Sequence, residues 1–120
     1  MIQLLRRLKA ATKYSCAGVA WAFFYEFSFR AQTLLVLALL GAAILVVQKP
    51  LDLLILLFPF VLALAFELVN TAIEQTINEL GKGAIRPAFR VAKDCGSAAV
   101  FVLLLWGGMT WVCYLLERIA

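Results

Sequence analysis

Among the polar residues of the run FPFVLALAFELVNTAIEQTINEL, Glu67, Asn70, Thr71, Glu74 and Asn78 fall at offsets of 0, 3, 4, 7 and 11. On an α-helix those offsets fall on one face. The run, Phe58 to Leu80, begins as a membrane span. A carboxylate at membrane depth costs about 3 kcal/mol or more, so it marks a functional site by default. Glu67 and Glu74 are two turns apart, roughly 10.5 Å along the axis, which is too far to clamp one ion together. One can bind a metal while the other, deeper in the membrane, does acid–base work.

Two further groups accompany that face. In Lys93-Asp94-Cys95-Gly96-Ser97 a basic stretch meets an apolar one, Lys93 can neutralise phosphate as a point charge, and Asp94 and Ser97 share a helix face. In Tyr25-Glu26-Phe27-Ser28-Phe29-Arg30 a carboxylate sits between aromatics, with an arginine four residues on. The plainer readings are polar packing between helices, a proton or cation path using Glu67, and a surface Glu26–Arg30 pair worth under ~1 kcal/mol.

The elements that must position these residues follow from hydropathy. Of 120 residues, 65% are hydrophobic, against about 45–50% in a soluble domain. The mean hydropathy is +0.98. Charge-free stretches run over 31–48, 53–66 and 95–116. A spanning helix needs roughly 17–25 apolar residues. The first and third meet this outright. The second does so only if its inner end is buried in protein. The expectation is an all-α membrane protein of one domain, 1–120. An N-terminal amphipathic surface helix over 3–29, with breaks, precedes spans at about 31–48, 53–80 and 92–116. Pro50 ends one helix in a tight turn, Asp52 caps the next, and Gly81-Lys82-Gly83 closes it.

Nine of the eleven basic residues flank the N-terminal side of the first span or the 81–94 loop; Lys49 and Arg118 lie at the other ends. The positive-inside rule then puts the N-terminus and that loop in the cytoplasm. Basic residues ahead of Tyr14–Phe24 and Ala20-Trp21-Ala22 resemble a signal peptide, but their mixing with Leu4, Leu5, Leu8 and Trp21 suits a helix lying at the interface. Three widely spaced cysteines and no histidine argue against a zinc site or a disulfide framework. Gly81-Lys82-Gly83 lacks the spacing of a phosphate-binding P-loop.

Taken together, the three groups resemble the prokaryotic diacylglycerol kinase family of small integral-membrane lipid kinases. Glu67-Leu68-Val69-Asn70-Thr71-Ala72-Ile73-Glu74 matches the family's E-[IL]-[VL]-N-[ST]-A-I-E signature. Ala92-Lys93-Asp94-Cys95-Gly96-Ser97-Ala98-Ala99-Val100 matches A-K-D-x-G-S-A-A-V. Glu26-x-x-x-Arg30 matches the element before the first span, and Arg7 and Tyr14-Ser15-x-x-Gly18 match the surface helix.

The resemblance implies transfer of the γ-phosphate of MgATP to the hydroxyl of a membrane lipid, by a homotrimeric bundle with sites shared between subunits in the bacterial inner membrane. Glu67 would be the general base at the lipid site, and Glu26 and Glu74 would hold Mg²⁺ and contact ATP. Asn70, Ser15 and Gly18 would support the site. Lys93 and Arg7 would contact phosphate, with Asp94 and Tyr14 seating the nucleotide. Ser97 and Arg30 would lie near the lipid head. The lipid expected is diacylglycerol, with undecaprenol the alternative; a small proton-coupled transporter is the remote one. No nucleic-acid partner is expected. Three features depart from the pattern: Asn78 stands where many members carry Asp, Gln32 where some carry Glu, and the 81–91 loop matches poorly.

Overall fold

Two prolines open helices, because a residue in the first turn has no intrahelical acceptor for its N–H and loses nothing by lacking one. Pro50 starts α3 (Pro50–Gly81) and Pro87 starts α4 (Pro87–Ile119). Ahead of them lie α1 (Ile2–Tyr25) and α2 (Phe27–Val46). This computed structural model describes residues 1–84 and 86–120, and among them the order is α1-α2-α3-α4 with no strand. Position 85, inside the expected 81–94 loop, lies outside the described residues.

Helix α1 ends at one residue. Glu26 is extended at φ −106°, ψ 115°, which breaks the helical ladder. Its N–H still donates to the Ala22 carbonyl at 2.8 Å, and Arg30 reaches back across the break to the Phe24 carbonyl at 3.3 Å. The surface helix therefore stops at Tyr25 rather than 29, and the first apolar helix starts at Phe27 rather than 31. Helix α4 starts five residues before the expected Ala92. The reason is shared: hydropathy marks where a span becomes apolar, whereas the helix continues through the polar boundary. Asp52 lies in the first turn of α3 instead of capping it, where its charge complements the helix dipole. At the other end Lys82, at φ 43°, ψ 40°, adopts the left-handed conformation that closes the helix.

Helices α2, α3 and α4 are each long and apolar enough to cross a membrane. At 32 residues α3 is roughly 48 Å long, well beyond a hydrocarbon core of about 30 Å, so its polar end extends past the bilayer interior. It is also the organising element, packing most extensively on α4 and next on α2. Its buried residues are Leu56, Pro59, Phe60, Ala63, Glu67, Asn70 and Thr71. They form one i, i+3, i+4, i+7 stripe, apolar in its first half and polar in its second. Ala22, Phe29, Ala43 and Val100 join the core from the neighbouring helices.

Close approach of α3 and α4 depends on a missing side chain. The Phe60 ring lies over Gly107 so closely that a Cβ there would sit 2.5 Å from two ring carbons. At the same end Tyr114 bonds the Val46 carbonyl at 3.4 Å and accepts from Arg118 at 2.8 Å. Many large apolar side chains, among them Leu37, Leu45, Leu54 and Met109, remain on the outer faces. Such surface requires lipid or another chain to cover it.

Because overpacking of this kind costs about 1–3 kcal/mol, Gly107→Ala is expected to lower the unfolding temperature in detergent micelles, read by circular dichroism. An unchanged melt would mean that the Phe60 ring simply moves aside.

Candidate functional site

The polar half of the α3 stripe opens into a cavity of about 250 Å³ lined by Glu26, Gln32, Glu67, Asn70, Glu74 and Ser97, among others. Three carboxylates from two distant parts of the chain therefore meet there. Glu26 comes from the α1–α2 break, and Glu67 and Glu74 from successive double turns of α3. Glu67, at 6% exposure, and Asn70, also at 6%, are buried within a single chain.

Each carboxylate is held by an amide. Gln32 Nε2 donates to Glu67 Oε2 at 2.8 Å. Asn70 Nδ2 donates to Glu74 Oε1 at 3.1 Å. Gln75 Nε2 donates to Glu26 Oε1, also at 3.1 Å. An amide fixes the direction of a carboxylate and leaves it without an ion-pair partner. A basic counter-ion would have done the opposite. Arg30, the nearest candidate by sequence, turns instead to the Phe24 carbonyl.

This donor set fits a hard divalent cation. Among the described residues no group of three or more His, Cys, Asp or Glu converges tightly enough to cage a metal by itself. Mg²⁺ binds through one or two carboxylates plus waters and phosphate oxygens rather than in an all-protein cage. Glu26 and Glu74, each held through Oε1, can supply those carboxylates.

Beside the acidic cavity lies a basic cleft of about 700 Å³ between the end of α3 and the start of α4. Arg86, Arg90 and Lys93 line it, together with Asn78, Gly81 and Gly83. Lys93 Nζ donates to Asn78 Oδ1 at 2.8 Å. Here too an amide orients a charge without neutralising it. The Arg86 guanidinium lies over the Phe89 ring at 5.6 Å, bracing the wall.

The remaining residues singled out by sequence lie elsewhere. Tyr14, Ser15 and Gly18 on α1 line a separate groove with Thr71 and Gln75, so they adjoin the cavity across α3. Arg7 is exposed on the first half of α1, and Asp94 is exposed near the start of α4. Neither they nor Arg30 line the acidic cavity. Sequence reasoning missed the anchoring roles of Gln32 and Gln75, and it gave Arg86 and Arg90 no contact. Amides at the same depth as unpaired carboxylates were the available signal; Gln32 stood out only as a departure from a family pattern.

An apolar bundle with three helices long enough to span a membrane, carrying an acidic cavity and a basic cleft, defines an integral-membrane protein with a charged site. A profile of the family described as prokaryotic diacylglycerol kinase matches residues 13–115. The diacylglycerol kinase of Pseudomonas aeruginosa is 38% identical over 112 residues, covering 93% of this chain and 90% of that one. Those of Haemophilus influenzae and Escherichia coli are 32% and 31% identical, covering 89% and 92% of this chain and 90% and 88% of theirs. The chain belongs to the prokaryotic diacylglycerol kinase family and is an ATP-dependent membrane lipid kinase.

Gln32 Oε1 is buried without a hydrogen-bond partner among the described residues. Glu67→Gln removes a buried charge and adds an amide donor beside that acceptor. The variant is therefore expected to unfold at or above the wild-type temperature. A clear drop would mean that the charge on Glu67 stabilises the fold.

Proposed function

We propose that this lipid kinase transfers the γ-phosphate of MgATP to the hydroxyl of diacylglycerol, giving phosphatidic acid. The observation that carries the reading is the meeting of Glu26, Glu67 and Glu74 in one cavity, with charge left intact, next to a basic cleft. The names of the relatives support diacylglycerol as the lipid.

Phosphoryl transfer asks a protein mainly for position and for charge stabilisation. Glu67, the deeper carboxylate, takes the proton from the lipid hydroxyl. The hydroxyl oxygen then bonds the γ-phosphorus as the bond from phosphorus to the β–γ bridging oxygen breaks and ADP leaves. Gln32 holds Glu67 by Oε2 and so orients the base. Glu26 and Glu74 hold Mg²⁺, which when bound neutralises phosphate charge. Lys93, with Arg86 and Arg90, draws the phosphates into the cleft. Ser97, on the cavity wall, meets the lipid head. The two-turn spacing of Glu67 and Glu74 separates proton removal from phosphate binding.

The rest of the assignment depends on more than one chain. Arg7, Tyr14, Asp94 and Arg30 serve the site in a homotrimer whose neighbouring subunits share sites, with Ser15 and Gly18 in support. Neighbours also cover the apolar faces that a single chain leaves open. The whole of 1–120 acts as one integral-membrane domain in the inner membrane. Its N-terminus and site face the cytoplasm, as the distribution of basic residues favours.

ATP-dependent phosphorylation of diacylglycerol and undecaprenol, measured side by side in mixed micelles, tests the substrate. Diacylglycerol is expected to be the better one; strong preference for the prenol overturns that choice. Glu67→Gln is expected to lose about 10²–10⁴ in turnover with the fold intact, the usual worth of a general base. Near-wild-type turnover would remove Glu67 from that role. Glu74→Ala should raise the Mg²⁺ concentration needed for half-maximal rate, and an unchanged titration would take Glu74 out of the metal site.

A further inference from the structure

Gly96 lies where α4 passes over Asn70. A Cβ at this position would overlap Asn70 Oδ1 and would stand only 3.2 Å from Asn70 Cγ. The space that a side chain would occupy is therefore filled by the amide itself. Asn70 is buried, and its Oδ1 has no hydrogen-bond partner among the described residues. That oxygen faces the glycine backbone, which offers it at most a weak Cα–H contact. The other end of the amide, Nδ2, donates to Glu74 Oε1 at 3.1 Å. Leaving a buried carbonyl oxygen unpaired is costly. Turning the amide over would set its oxygen against the Glu74 carboxylate, which is worse.

We propose that Gly96 is a positioning residue for Glu74, acting through Asn70. Its bare backbone holds the amide in the one orientation that points Nδ2 at the carboxylate, and so aims Glu74 at the cation. This rests on the reading of Glu74 as a Mg²⁺ ligand. A second glycine on the same face supplies the comparison. Gly107, three turns further along α4, also makes a close approach, to the Phe60 ring, and neither residue lines the acidic cavity. If glycine at these places only lets two helices touch, substitutions at the two positions will behave alike.

The test is Mn²⁺ binding to purified protein with a non-hydrolysable methylene analogue of ATP, followed by electron paramagnetic resonance, alongside unfolding temperature. Partners of metal ligands are typically worth about 10–100-fold in affinity. Gly96→Ala is expected to weaken Mn²⁺ binding by about that factor, and Asn70→Ala to do the same. The double variant should bind no worse than Asn70→Ala alone, because the clash disappears with the amide. Gly107→Ala should lower the unfolding temperature and leave Mn²⁺ affinity at the wild-type value. Wild-type affinity in Gly96→Ala overturns the proposal. So does equal weakening by Gly107→Ala, or a double variant whose losses multiply. Should Gly96→Ala fail to fold, the double variant decides: folding with the affinity of Asn70→Ala supports the proposal, and misfolding contradicts it. Wild-type protein that neither binds the Mn²⁺ analogue complex nor phosphorylates lipid would sink the kinase mechanism itself, an outcome distinct from all of these.

Discussion

Three carboxylates share one small cavity, and each is held by an amide rather than by a cation. The rest of the structure answers to that constraint. Buried charge is costly, and proteins usually offset it by pairing. Here Gln32 directs the buried Glu67, while Asn70 and Gln75 direct the half-buried Glu74 and Glu26, and none of the three bonds a basic side chain among the described residues. On the proposed reading, a cation arriving with a polyanion completes the site. Lys93 follows the same rule in reverse, steadied by the Asn78 amide and still positive. Opposite potentials lie side by side at one end of the bundle, as transfer between a nucleotide and a lipid requires.

The fold buries this site by the same device that builds its core. Leu56, Pro59, Phe60 and Ala63 lead without a change of register into Glu67, Asn70 and Thr71. Helix α4 covers both halves, and in both it comes close because a glycine faces the larger partner. Gly107 admits the Phe60 ring and Gly96 admits the Asn70 amide. The same helix pair therefore carries both the apolar packing and the wall of the site.

Much of this was legible in the sequence, for reasons that differ by residue. The common face of Glu67, Asn70 and Glu74 follows from helical period alone. The three apolar helices follow from hydropathy. Glu26 joins the site from a point far away in the chain; a carboxylate set between aromatics just before the first span was the local signal for it, and resemblance to a family supported the same role. The roles of Gln32 and Gln75 were hidden because an amide donor across helices depends on register, which a single sequence does not display. Gly96 was visible as a letter of a motif, but its function depends on what lies opposite. The break at Glu26 had no proline or glycine to mark it. The early start of α4 was masked because Pro87 reads equally well as loop or as first turn.

The central claim is that the carboxylates are fixed but not neutralised, so that a cation with nucleotide completes the site. Unfolding temperature measured against Mg²⁺ concentration, at constant non-hydrolysable ATP analogue, addresses it most directly, since a ligand that binds only the folded state stabilises it. The account predicts a saturable rise for the wild type that vanishes in the Glu26→Gln/Glu74→Gln variant. A wild type indifferent to Mg²⁺, or an equal rise in both proteins, would contradict it.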